Sequence, residues 1–224
     1  MFKQTLRGEN LEEVKSKILL AAKELFARQG YKKTTIRQIV EETGVLTGSI
    51  YHFFKNKEDI FQALVLELFN RCEKLVNERF DEKESPALRY AVMCAIELRA
   101  VRMNKLVCES YYEAYSSNAI LEQLTMCASQ RSYELFRKYN PNFTMEDYYI
   151  RTLMIKGAMR SCIVSCCLER DITYEQMLNT FLEISLSTFN VNQIEIEQVT
   201  GRIHEMYEDI IDMAFMVGEE GFTD

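Results

Sequence analysis

The chain has 224 residues, 47% hydrophobic and 27% charged, which excludes a disordered chain and fits one large domain or a small domain joined to a larger one. Two Pro and eight Gly are too few breakers for anything but an almost entirely helical protein. The net charge of −7 is uneven, with +3 over residues 1–60 and −10 over the rest, so a polyanion is expected to meet the N-terminal part alone.

The first predicted element is a helix over 11–29. Leu11, Val14, Ile18, Ala21 or Ala22, Leu25 and Phe26 form one stripe at helical spacing, and Gly30 stops it. Thr35 then stands where it can cap a short helix, "IRQIVEET", which Gly44 ends. "TGSIYHFF" is a second short helix. Asn56 opens a long one that runs to about Phe80. "DEKESP", 81–86, is a polar hinge, and Pro86 suits the first turn of the next helix. Six further helices are expected at 86–102, 104–116, 118–139, 145–169, 174–190 and 195–217. Pro141 and the stretch 171–173 supply turns. No period-2 strand pattern is present, so the fold class is all-α.

Two short helices around a Gly-containing turn are a helix-turn-helix. In that unit the first helix props the second, whose N-terminal side chains enter the major groove of DNA. Ile36, Ile39, Val45 and Ile50 are expected to pack on the helix at 11–29. Thr47, Ser49, Tyr51 and His52 then face outward, the small Gly48 allows a close backbone approach, and Lys55 and Lys57 stand where phosphates pass. Phe53 and Phe54 are expected in the core.

This stretch resembles the TetR-type transcriptional repressors. The likeness covers about residues 11–65: a helix ending at Gly30–Tyr31, then "TTIRQIVEETGV", "TGSIY" and "FFKNKEDIF". Leu46 departs from the small polar residue usual before Thr47, so Thr47 is expected to cap. His52 and Phe53 also depart from the usual pattern. The resemblance implies a three-helix DNA-binding head at 1–55 and a helical effector-binding and dimerisation body at 56–224. It implies that Thr35 and Lys57 meet phosphates, that Thr47, Gly48 and Ser49 approach the groove, and that Tyr51 and His52 touch phosphate or thymine methyls. It further implies a homodimer through the helices at 145–169 and 174–190, a double-stranded DNA operator, and a small-molecule effector that shifts the long helix from Asn56.

Other signals compete. His204, Glu208 and Asp212 in "HEMYEDIID" would share one helical face, but the second His of a zinc motif is missing, so a solvated acidic face is expected rather than a metal site. The seven cysteines, Cys72, Cys94, Cys108, Cys127, Cys162, Cys166 and Cys167, are odd in number and irregular in spacing. With no apolar signal-peptide run at the start, they read as free, mostly buried thiols in a reducing cytoplasm. Apolar runs such as "YAVMCAI" are too short to span a bilayer, so no membrane partner is expected. A thiol-sensing regulator is an alternative, and an enzyme or an adaptor with a DNA-binding-like head are weaker ones. No catalytic residue and no cofactor are expected.

The helix at 86–102 is apolar almost all round except for Glu97. A cavity is expected among Met93, Glu97, Tyr112, Met126, Tyr133 and Met159. Within it, Glu97 either faces a lipophilic cation, or is tied internally to Arg99 or Arg102, or reaches solvent.

Overall fold

The computed structural model describes residues 11–80, 83–166 and 171–222. They form eleven α-helices and, among them, no strand. In chain order these are α1 (Leu11–Gln29), α2 (Ile36–Thr43), α3 (Thr47–Phe53), α4 (Lys57–Arg79), α5 (Pro86–Met103), α6 (Lys105–Ser116), α7 (Asn118–Phe136), α8 (Met145–Cys166), α9 (Tyr174–Thr188), α10 (Gln193–Glu205) and α11 (Tyr207–Phe222). Asp81 and Glu82 of the hinge, Cys167, and the expected end of the 145–169 helix lie outside the described residues. Compactness divides the chain within α4: one unit is the chain up to Leu68 together with the segment from Glu219, and the other is Phe69–Gly218.

In the first unit, α1 buries Val14, Ile18, Ala21, Ala22, Leu25 and Phe26, the stripe its spacing predicts. Gly30 takes φ +83° and closes the helix by donating its N–H to Phe26 O at 2.9 Å. That left-handed conformation is open to glycine without steric cost. Helices α2 and α3 pack on α1 and on each other, burying Ile39 and Ile50 fully and Ile36 and Val45 by half. Phe54, Ile60, Phe61 and Val65 complete the core, with Phe61 stacked 4.4 Å from Tyr31 and edge-on to Phe26. Asn56 caps α4, its Oδ1 accepting from Asp59 N at 2.9 Å.

The second unit is built around α5, which is buried along most of its length and contacts α6, α7, α8, α9 and α10. Ser85 caps it and Pro86 occupies its first turn. Beside it, Phe136 stacks on Phe189 at 4.6 Å, with Tyr90 and Tyr148 around the pair. Buried Asn140 ties two turns together. Its Nδ2 donates to Phe136 O at 3.0 Å and Phe189 O at 2.7 Å, and its Oδ1 accepts from Asn190 Nδ2 at 2.7 Å.

The single helix expected over 195–217 is broken. Met206, at φ −92° and ψ 21°, ends α10, and α11 starts at Tyr207. No Gly or Pro marks the break. It follows from tertiary packing, in which α10 lies on α5 and α9 and buries Ile196, Val199 and Ile203. His204 therefore belongs to a different helix from Glu208 and Asp212, and all three residues are exposed. Among the described residues no group of three or more His, Cys, Asp and Glu is placed to hold a metal ion.

Candidate DNA-binding face and effector cavity

Helix α2 begins with a capping box. Gln38 N donates to Thr35 Oγ1 at 3.3 Å, and Thr35 N donates back to Gln38 Oε1 at 2.9 Å. The box fixes where α2 starts and leaves Thr35 exposed. The turn to α3 passes through Gly44 at φ +66°. Thr47 does not cap α3, contrary to the sequence expectation. The N-cap is Leu46, which has no side chain to accept a bond, so no side chain closes this end. Thr47, Gly48, Tyr51, His52 and Lys55 are exposed and Ser49 is half-buried. Tyr51 is 54% exposed, far more than a core aromatic of a short packed helix would be. Phe54 is buried and Phe53 half-buried, on the inner side.

Lys57 departs from the expected arrangement. Its Nζ is turned into the protein and donates to Tyr31 O at 2.7 Å, Thr34 O at 2.8 Å and Lys32 O at 3.5 Å. It also lies 4.2 Å from the centroid of the Tyr31 ring. The physical reason is the cluster of carbonyl dipoles between α1 and α2, which attracts a cation more strongly than open water does. Lys57 thus holds the turn that carries Thr35, and a phosphate would have to draw it away from these carbonyls.

In the second unit a cavity of about 50 Å³ is lined by Met93, Glu97, Arg131, Thr152, Lys156 and Met159, with Tyr90, Cys94, Ile155 and Phe181 among the other walls. Three of the six residues expected from the sequence are there: Met93, Glu97 and Met159. The other three are not. Tyr112 and Met126 are 37% and 53% exposed, and Tyr133 instead packs edge-on to Tyr148 at 5.6 Å. Tyr112 of α6 and Met126 of α7 thus meet solvent, and Tyr133 of α7 meets α8.

Glu97 is tied to neither Arg99 nor Arg102. Arg99 lies over the Tyr174 ring at 3.5 Å and approaches Glu175 at 3.9 Å, while Arg102 donates to Ile172 O at 2.6 Å. The charges that reach Glu97 are Lys156 and Arg131. Two cations beside the carboxylate also remove the basis for a cationic guest. Arg131 is itself paired with Glu73, and Lys156 Nζ donates to Tyr115 Oη at 3.2 Å with the Phe69 ring 4.7 Å away.

Sequence reasoning missed Lys156, Arg131 and Thr152. A signal for Lys156 was present: Thr152, Ile155, Lys156, Met159 and Ile163 form the buried stripe of α8, so the lysine occupies a core position of an amphipathic pattern.

Burial raises the Glu97 carboxyl above its ordinary value, against the opposing pull of Lys156 and Arg131. The other titratable groups its charge reaches are Cys72, Tyr90, Cys94, Tyr111 and Tyr115. For a carboxyl raised in the folded state, its contribution to stability is full below the ordinary value and is lost as pH rises through the raised one. Glu97→Gln removes that loss. Melting curves are therefore expected to coincide with the parent in acid and to lie above it at neutral and higher pH. A constant offset across pH would contradict this reading.

Residues 18–64 match the model of the bacterial regulatory proteins of the tetR family. That match covers about a fifth of the chain, within α1 to α4. The chain is 41% identical over 83 residues to the uncharacterised HTH-type transcriptional regulator YxaF of Bacillus subtilis (strain 168), across 37% of this chain and 41% of that protein. It is 37% identical over 71 residues to the HTH-type transcriptional repressor AcnR of Corynebacterium glutamicum, across 32% of this chain and 38% of that protein. The matched stretch thus spans less than half of these relatives' own length. The crystal structure of RolR in complex with resorcinol has the same fold, with a TM-score of 0.65 and 19% identity over 86% of this chain and 95% of RolR. The likeness to the tetR family thus rests on the sequence of residues 18–64, and the likeness of the helical body on fold alone.

Proposed function

We propose that the chain is a DNA-binding transcriptional repressor, released from its operator by a small effector bound in the second unit. The observation that carries this reading is the outward row Thr47, Gly48, Tyr51 and His52 on the second helix of a tetR-family helix-turn-helix. In this reading Thr35 and Ser49 complete the DNA face and Lys55 meets a phosphate. Residues 1–55 are the DNA-binding part, and 56–224 are the effector-binding and dimerisation part. RolR with resorcinol bound supports a small molecule as the signal. A ligand acts only through its different affinity for the two states, and ~100-fold release corresponds to about 2.7 kcal/mol.

The repressor acts as a homodimer through α8 and α9. Ile150, Met154, Gly157 and Ser161 recur along one exposed side of α8, with Met154 67% exposed, and Ile184 of α9 is 52% exposed. Isolated apolar residues on a surface need no explanation, but a row at helical spacing with a glycine in it suits close packing on a second copy. A helix-turn-helix dimer of this kind takes half-sites ~34–36 Å apart. No helix among the described residues is long and apolar enough to cross a membrane, which accords with a cytoplasmic regulator.

The thiol-sensing alternative is less well supported. Burial pushes the Cys162 thiol up to about 11 and raises Cys72 and Cys94, whereas a reactive sensor needs a thiolate.

The test is a mobility shift with the DNA upstream of the protein's own gene, with sedimentation to fix the oligomeric state. A monomer, or a dimer without preference for that DNA over random sequence, would overturn the proposal. Gly48→Ala gives a sharper form. A Cβ built at Gly48 meets nothing within 4 Å in the protein, so the change is expected to leave stability equal or higher by up to about 1 kcal/mol. Operator affinity is expected to fall by roughly tenfold, about 1.4 kcal/mol, because the added methyl stands in the groove.

A further inference from the structure

We propose that the cavity of the second unit selects an uncharged, hydroxyl-bearing small molecule, one hydroxyl of which donates to Glu97 and accepts from Lys156. Only in calling this molecule the effector does the proposal rest on the regulatory reading.

Glu97 and Lys156 are 7% and 8% exposed, and both line the cavity. Burial and the charges of Lys156 and Arg131 act on the Glu97 carboxyl. The Lys156 ammonium has three protons, and Tyr115 Oη receives one of them. Thr152 Oγ1, on a residue 3% exposed, and Arg131 Nε are buried without a hydrogen-bond partner, and both residues line the same space. Buried polar groups are normally satisfied, so this set of acceptor and donors is a site built for a guest.

The charges decide what kind of guest. Glu97 is balanced by Lys156, and Arg131 by Glu73. A cation would face Lys156 and Arg131, and an anion would face Glu97. Either would bring an unbalanced charge into a desolvated space. A hydroxyl donates and accepts at once, so it satisfies an acceptor-only carboxylate and a donor-only ammonium together.

The remaining walls, Met93, Met159, Ile155 and Phe181 among them, suit an apolar body. The volume of about 50 Å³ is below the ~150 Å³ of a cavity that holds benzene. A single ring therefore enters by displacing the flexible side chains of Met93 and Met159. Larger bodies do not fit the selection.

The experiment is calorimetric titration of the full-length protein with four probes of one size: phenol, benzylammonium, benzoate and toluene. Phenol is expected to bind at least tenfold more tightly than each of the others. Glu97→Gln and Lys156→Met are each expected to weaken phenol at least tenfold, and Lys156→Met to shrink the preference for phenol over toluene. Thr152→Val, a near-isosteric change, supplies the same comparison should Lys156→Met fail to fold, and is expected to weaken phenol several-fold. Preference for benzylammonium or benzoate, equal binding of phenol and toluene, or unchanged discrimination in the folded variants would each overturn the proposal. A mobility shift without any probe separates the two readings. Operator binding by a protein that ignores phenol overturns the ligand class and keeps the regulator. Phenol binding by a protein that ignores DNA does the reverse.

Discussion

Lys57→Met is expected to lower the stability of the head by about 2 kcal/mol, the order of magnitude for a charge-assisted hydrogen-bond set lost from a half-buried site. The ammonium donates to the carbonyls of Tyr31, Lys32 and Thr34 and lies against the Tyr31 ring. Methionine keeps the length and apolar stem and removes the donors. Operator affinity is expected to fall as well, because the turn that places Thr35 loosens. The slope of log affinity against log salt is the deciding measurement. A lost phosphate contact lowers that slope by about one unit. For Lys57→Met the slope is expected to stay unchanged while the melting temperature drops. For Lys55→Ala, whose side chain is exposed, the reverse is expected. A lower slope with unchanged melting for Lys57→Met would show that the lysine leaves its carbonyls for DNA.

Asn140→Leu is expected to cost about 3 kcal/mol, or ~6–12 °C in melting temperature for a chain of this size. The side chain is 3% exposed and joins the end of α7 to the turn between α9 and α10. Leucine fills the volume but strands Phe189 O in the core and removes the acceptor of Asn190 Nδ2. The energy is mainly the cost of burying groups that have lost their partners. Asn190→Gly separates this from backbone strain. Asn190 holds φ +58°, which glycine adopts freely, so relief of strain offsets the lost side-chain bond. That variant is expected to melt within a few degrees of the parent, on the order of 1 kcal/mol or less. Equal losses for the two variants, read by circular dichroism, would place the cost in the turn rather than in the buried amide.

The local sequence determined most of the helices and several of their caps. The stripe of α1, the stops at Gly30 and Gly44, the capping residues Thr35 and Asn56, and Pro86 in the first turn of α5 all follow from spacing and short-range chemistry. The outward row from Thr47 to His52 was legible for the same reason: a short helix with one apolar side must turn the other side out. Where the guide is a residue's usual partner, the sequence leaves out partners that the fold supplies. A lysine beside the motif suggests a phosphate partner, whereas the carbonyls that hold Lys57 belong to a turn 23 to 26 positions earlier. Leu46 rather than Thr47 is the N-cap of α3, because cap position is set by backbone angles and not by the nearest hydroxyl.

The cavity was decided by tertiary structure. Met93, Glu97 and Met159 were legible as a carboxylate and methionines on buried stripes, whereas Tyr112, Met126 and Tyr133 were chosen by type and lie on other faces. Lys156 and Arg131 come from α8 and α7, 59 and 34 positions beyond Glu97. No spacing rule joins three helices in that way. The break at Met206 has the same origin, since α10 is held on α5 and α9 while the sequence continues its helical pattern without Gly or Pro. Hydrogen bonds within a helix extend four residues and are written in the local sequence. Electrostatic neighbours in a packed core are chosen by how helices far apart in the chain come together, and that choice sets Lys156 and Arg131 beside Glu97 rather than Arg99 or Arg102.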